Sequence, residues 1–247
     1  MILPYITNKQ KQILLLLYRF RFLHRIHIQK LLNNKDHKNT NIRLKDLSEK
    51  QYIERVEEEK IPGINKPYKY RIAVNGIRFL TTQDSQDLYL KRLHQEKRKS
   101  EKFIGKCLFI ADVYLNLLEE SRTKGYTLKF YTQTDFPVDG EIQTLLPSFA
   151  YVIETKDNLE HYACEIIEEH MPRFAMRWRI KKYIEYFTSD DSSTHIVLIC
   201  QTEKSRQYVE KFTRKTLEEE SADNILVSTT TQDRMKVNDI GEALKNN

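Results

Sequence analysis

The chain has 247 residues, 40% of them hydrophobic and 31% charged, which suits a soluble globular protein large enough for two modest domains. No apolar run approaches the roughly 18 residues needed to cross a bilayer, so no membrane partner and a cytoplasmic location are expected. The net charge of +6 is uneven: residues 1–82 hold 17 Lys and Arg against 7 Asp and Glu, and residues 83–247 hold 24 against 28, so a polyanion partner is expected for the first part alone.

Thr7 is a plausible helix N-cap, followed at helical spacing by Ile13, Leu14, Leu17 and Phe20. After a break near Phe22 and Leu23, a short helix carries Ile28, Leu31 and Leu32. The polar stretch 33–36 has turn chemistry. A third helix is expected over 39–50, with Ile42, Leu44 and Leu47 as its buried contacts. Strands at 52–56 and 68–72 flank the Pro- and Gly-containing segment 61–67, and a helix begins near Asn75. His24 and His27 have the i, i+3 spacing of a metal pair but no evident third ligand.

This order resembles a winged helix-turn-helix, with "LKDLSEKQYIERV" running from the recognition helix into the wing and "YKYRIAVNGIRFL" returning from it. The resemblance implies double-stranded DNA as partner. The DNA-binding candidates are Lys38, Asn39, Thr40, Asn41, Arg43 and Lys45 on the third helix, and Lys60, Asn65, Lys66 and Lys69 at the wing. Arg and Asn suit bidentate reading of bases, whereas Lys mainly holds phosphate. A winged helix that binds protein is the bland alternative.

Residues 83–101 contain no Gly or Pro and read as an exposed helical linker. Leu88, Leu90 and Leu93 give it a narrow apolar edge, for a homodimer or for packing within the chain. Cys107, Cys164 and Cys200 form no CxxC pair and sit in apolar segments, as buried reduced thiols do.

The rest, 102–247, opens with a helix over 103–120 ended by Gly125. Strands follow at 127–132, 150–154 and 161–167, then a helix at 173–187, a strand at 195–200, a helix at 203–217 and a last strand at 224–228. Polarity rises from Ser221 onward, and a final short helix and a frayed terminus are expected there. The order α-β-β-β-α-β-α-β resembles the PD-(D/E)XK, restriction-endonuclease-like core. The expected fold class is therefore a two-domain α+β and α/β chain, with residues 1–82 the winged helix-turn-helix and 102–247 the nuclease-like domain. The stretches "KQILLLLYRFRFLHRIHIQKLL", "ADVYLNLLEE", "LLPSFAYVIET", "HYACEIIEEH" and "MRWRIKKYIEYF" together resemble the replication-relaxation family of plasmid and mobile-element DNA.

The nuclease resemblance implies acids on two adjacent strands that hold Mg²⁺, and a lysine that orients the attacking water. Here Ser148 stands in the first acid's position, Glu165 matches the second, and Ile167 replaces the lysine. Glu154, Glu168 or Glu119 would have to supply a second carboxylate, and Lys181 or Lys182 the amine. No confident catalytic residue, metal site or cofactor is therefore expected. On the helix "PRFAMRWRIKKYIEYF", Arg173, Arg177, Arg179, Lys181 and Lys182 either touch phosphates or are solvated, with Phe174 and Trp178 in the core. The leading expectation is a sequence-specific, dimeric DNA-binding protein with a degenerate nuclease-like domain. The rival is a Mg²⁺- or Mn²⁺-dependent endonuclease centred on Glu165.

Overall fold

Thr7 starts the first helix, α1 (Asn8–Phe20), with a capping box: its side chain accepts from the Gln10 N–H at 3.4 Å, and Gln10 Oε1 accepts from the Thr7 N–H at 2.8 Å. The expected apolar stripe is buried, and Gln10 joins it by donating to Asp46. The structure, a computed structural model, describes residues 3–56, 67–83, 90, 93, 98–136, 145–189, 194–220, 222 and 225–236. They fall into two compact units, Met1–Leu115 and Asn116–Asn247. The first unit thus extends past the expected boundary at 82 and includes the start of the following long helix.

In the first unit, β1 (Leu23–His24) follows α1, and α2 (Arg25–Leu31) and α3 (His37–Glu49) come next, with Asp36 capping α3 through the Lys38 N–H at 2.8 Å. Then β2 (Ile53–Val56) and β3 (Lys69–Ile72) pair antiparallel, and β1 joins the far side of β3 to give the order β1-β3-β2. α4 (Val74–Gln83) returns against this sheet. It comes so close that a Cβ on Gly76 would lie 2.3 Å from the Tyr52 carbonyl oxygen and 2.8 Å from Ile72 Cγ2. Only glycine fits there without a backbone shift.

Leu44 and Leu47 of α3 are buried as expected, but Ile42 is 65% exposed, and Thr40 takes its place inside. A helix 3.6 residues per turn puts position 40, not 42, beside 44 and 47. Leu90 and Leu93 are buried within the chain, as the packing alternative had it. Leu88 and most of the expected linker lie outside the described residues.

α5 (Glu101–Lys124) ends at Gly125, whose φ of +74° suits a glycine after a helix. Phe103, Ile104, Cys107 and Leu108 at its start pack on Phe22 in the first unit. The second unit is a five-stranded sheet in the order β4-β5-β6-β7-β8. β4 (Thr127–Thr132), β5 (Phe149–Glu154) and β6 (Leu159–Ile167) are antiparallel neighbours. β7 (Thr194–Cys200) and β8 (Val227–Thr231) continue parallel to β6.

Parallel neighbours need crossovers, and the two helices α6 (Arg173–Ser189) and α7 (Glu203–Glu219) supply them. Met176, Ile180, Tyr183 and Ile184 of α6 pack with Val209 of α7 on Ile167, Ile196, Leu198 and Cys200. The short α8 (Gln232–Met235) follows β8.

The last strand departs from expectation. It lies at Val227–Thr231, not 224–228, so residues read as a polar tail are buried. Their hydroxyls are largely satisfied: Ser228 Oγ bonds His195 Nε2 at 2.8 Å, and Thr229 Oγ1 accepts from Arg206 at 3.3 Å. Threonine's β-branched side chain suits a strand once those bonds exist. All three cysteines are free and buried. Burial pushes the Cys200 thiol up to about 11 and Cys164 well above its ordinary range, so both stay protonated.

Candidate functional site

In the first unit, α2 and α3 are joined by a tight turn that positive φ at Asn33 (51°) and a hydrogen bond from Asn34 Nδ2 to Thr40 Oγ1 (3.1 Å) hold together. Thr40 is fully buried, so it fixes the turn and does not face outward. Lys38, Asn39, Asn41 and Lys45 are exposed on the face opposite Leu44 and Leu47, with the exposed Ile42 among them. Lys45 keeps a loose pairing with Glu49 at 3.8 Å.

Arg43 is half-buried, and its Nη1 is buried with no hydrogen-bond partner among the described residues. It sits on the flank of the helix and not on its outer pole. Lys69 Nζ lies 2.8 Å from Glu101 Oε2 and its side chain is only 12% exposed, so it ties β3 to α5. Lys60, Asn65 and Lys66 lie outside the described residues. Sequence reading missed Arg55, which is exposed on β2 with its guanidinium over the half-exposed Tyr68 ring. Strand alternation on β2 sets Arg55 on the face of the buried Ile53, so no sequence signal placed it outward.

His24 and His27 do not make a metal site. His27 Nδ1 lies 3.4 Å from the His24 N–H, which caps α2, and Nε2 bonds Asp112 Oδ1 at 2.9 Å. Burial, then the neighbouring His27, hold the His24 imidazole below its ordinary pKa.

In the second unit, Ser148 immediately precedes β5, and the register that pairs Phe149 with Cys164 sets it beside Glu165 on β6. The sequence juxtaposition is therefore real. Both residues are almost fully buried, Ser148 at 1% and Glu165 at 3% exposed.

Glu165 Oε2 accepts from the Ser148 N–H at 3.1 Å, from Ser148 Oγ at 2.9 Å and from the Tyr183 hydroxyl at 3.2 Å. Its Oε1 accepts from Arg179 Nε at 2.6 Å. Ser148 Oγ also accepts from the Ile166 N–H at 3.1 Å, and Arg179 Nη2 donates to the Leu146 carbonyl at 3.0 Å.

Burial opposes charge on Arg179, but the Glu165 carboxylate more than compensates and raises its pKa. Burial, then Glu165's charge, push the Tyr183 phenol well above its ordinary range, so it remains a neutral donor. Arg179 was expected at the surface; it instead reaches from α6 into the sheet. Its distance of 14 residues from Glu165 hides this from any local motif.

A divalent cation at this place needs several anionic oxygens with free lone pairs. Among the described residues one carboxylate is within reach, both its oxygens are engaged, and a guanidinium already lies against it. Ile167, in the expected lysine's place, is buried in the apolar cluster.

The substitutes are elsewhere. Glu154 is at the other end of β5, paired with Lys129 at 3.0 Å; Glu168 is exposed; Glu119 is exposed beside Arg122. Lys181 pairs with Glu220 at 2.8 Å and Lys182 with Glu185 at 2.6 Å, both away from Glu165. No group of three or more His, Cys, Asp or Glu residues among those described could hold a metal ion. The donor set of the described residues does not fit Mg²⁺ or Mn²⁺.

Two sheets, the second an antiparallel triplet extended by two parallel strands with helical crossovers, define a mixed α/β protein. No helix of the described residues is long and apolar enough to cross a membrane. The chain belongs to the replication-relaxation family, whose model matches residues 14–137. No curated protein matches it.

Among solved structures, the restriction endonuclease FokI is similar at 9% identity and a TM-score of 0.34, over 94% of this chain and 44% of that one. FokI bound to DNA is similar at 11% identity and a TM-score of 0.31, over 94% and 45%. The chain spans less than half the length of these neighbours, and likeness at these scores carries no argument about activity.

Proposed function

We propose that the protein binds double-stranded DNA in a sequence-dependent way, with α3 as recognition helix and β2 and β3 as wing. Its nuclease-like domain is a non-cleaving scaffold. The work fits replication, relaxation or regulation of a plasmid or other mobile element, carried out by a homodimer that meets two half-sites. The observation that carries the reading is the division of labour on α3. Thr40, Leu44 and Leu47 are spent on the core and the turn, which leaves Lys38, Asn39, Asn41, Ile42 and Lys45 outward. Lysines there suit phosphates, asparagines suit adenine, and an exposed isoleucine suits a thymine methyl.

The claim that the second domain does not cleave rests on Glu165, whose oxygens are held by Ser148, Tyr183 and Arg179. No observation favours the rival Glu165-centred endonuclease.

Selection of bound duplexes from a random library tests DNA reading. A common motif should emerge, and Asn41→Ala should relax it at about one position, at a cost of roughly 1–3 kcal/mol for that base pair. Lys45→Ala should weaken binding to all duplexes and reduce the salt slope by about one ion. Unchanged selection and affinity in both variants reject the assignment of α3.

A further inference from the structure

We infer that the outer face of α6 and α7 is a docking surface for single-stranded DNA, with Phe174 and Trp178 as its stacking platform. Phe174 is 77% exposed and Trp178 54% exposed. They lie one turn apart on α6, so their rings share a face. That face is not unfinished core, because Met176, Ile180, Tyr183 and Ile184 already fill the inner side of the helix.

The surroundings are cationic. Arg173 and Arg177 lie over the Tyr208 ring of α7 at 5.0 and 5.6 Å, and Arg177 Nε donates to the Tyr208 hydroxyl at 2.9 Å. Lys204 and Lys211 are exposed on α7, about one turn to either side of Tyr208. The nearby acids Glu203 and Glu210 are engaged by Arg206, at 2.7 and 3.0 Å.

Exposed aromatics framed by cations complement a ligand that presents base faces and phosphates together. A single strand does so; a duplex hides its base faces. The choice of DNA over RNA rests on the duplex DNA reading proposed for α3, and an oligouridylate arm tests it.

This surface is independent of α3. Trp178 is the only tryptophan in the chain, so intrinsic fluorescence reports on it directly. Titrating the full chain with a short oligothymidylate at low salt should quench that emission, and added salt should reverse the quenching. Phe174→Ala should weaken the quenching affinity roughly ten-fold while leaving circular dichroism unchanged. Trp178→Phe should retain binding to a labelled oligonucleotide. Asn41→Ala on α3 should leave the Trp178 response intact, which separates this inference from the proposed function.

No quenching, or an equal response to heparin, which has charge but no bases, overturns the inference. Equal or tighter binding of oligouridylate overturns the choice of DNA. A change of emission with protein concentration alone would give the face to a second copy of the chain instead.

Discussion

At the scale of the residue, Arg179 decides the state of the buried acid. Its guanidinium is the one cation in contact with Glu165 among the described residues, and it also holds the Leu146 carbonyl just ahead of Ser148. Arg179→Ala strands a carboxylate that is 3% exposed, and breaking one side of such a pair costs about 3–5 kcal/mol. Glu165→Gln should cost less, because the Arg179 side chain is 23% exposed and its charge can turn toward water. Urea denaturation of both variants checks the order, and equal losses would contradict it.

His195 gives a pH prediction. Burial holds its pKa below the ordinary 6.5, against a smaller upward pull from Glu160, while Nε2 shares a hydrogen bond with Ser228. As pH falls below about 6.5 the unfolded chain takes up this proton before the folded one, so stability should decline there. His24 shifts in the same direction. His195→Gln should flatten, but not abolish, the fall in melting temperature between about pH 7 and pH 5. A slope unchanged by the substitution would count against the buried imidazole. Ser148, Glu165 and Ile167 were legible because a motif fixes their spacing; Arg179 was not, because a helix on the far side of a turn brings it there.

At the scale of the element, order was far more legible than edges. Hydrophobic period revealed every helix and strand of the described sheets except β1, whose two residues are too few to show alternation. Two misreadings have physical causes. Ile42 was placed inside because it is apolar, although helical geometry assigns that place to Thr40. β8 was set three residues early because threonines read as polar, whereas their β-branched side chains suit a strand and Thr229 also accepts from Arg206.

The tight passage of α4 over the Tyr52 carbonyl gives this scale its test. Gly76→Ala should destabilise by about 1–3 kcal/mol through overpacking, read as a lower denaturation midpoint. The same substitution at Gly105, whose Cβ would meet nothing within 4 Å, should be neutral or mildly stabilising by helix propensity. A reversed order would mean that α4 does not pack as described.

At the scale of the whole molecule, the charge asymmetry visible in the sequence follows the chemistry. The basic first unit carries the exposed lysines and asparagines of α3, and the second has a five-stranded sheet whose buried acid is paired with Arg179. The measurement that tests this most directly is incubation of supercoiled and linear DNA with the full chain in Mg²⁺ and in Mn²⁺, wild type beside Glu165→Ala. Binding to the same DNA is followed in parallel. The account predicts salt-sensitive binding by both proteins and no strand scission by either. Cleavage by the wild type that Glu165→Ala abolishes would contradict it.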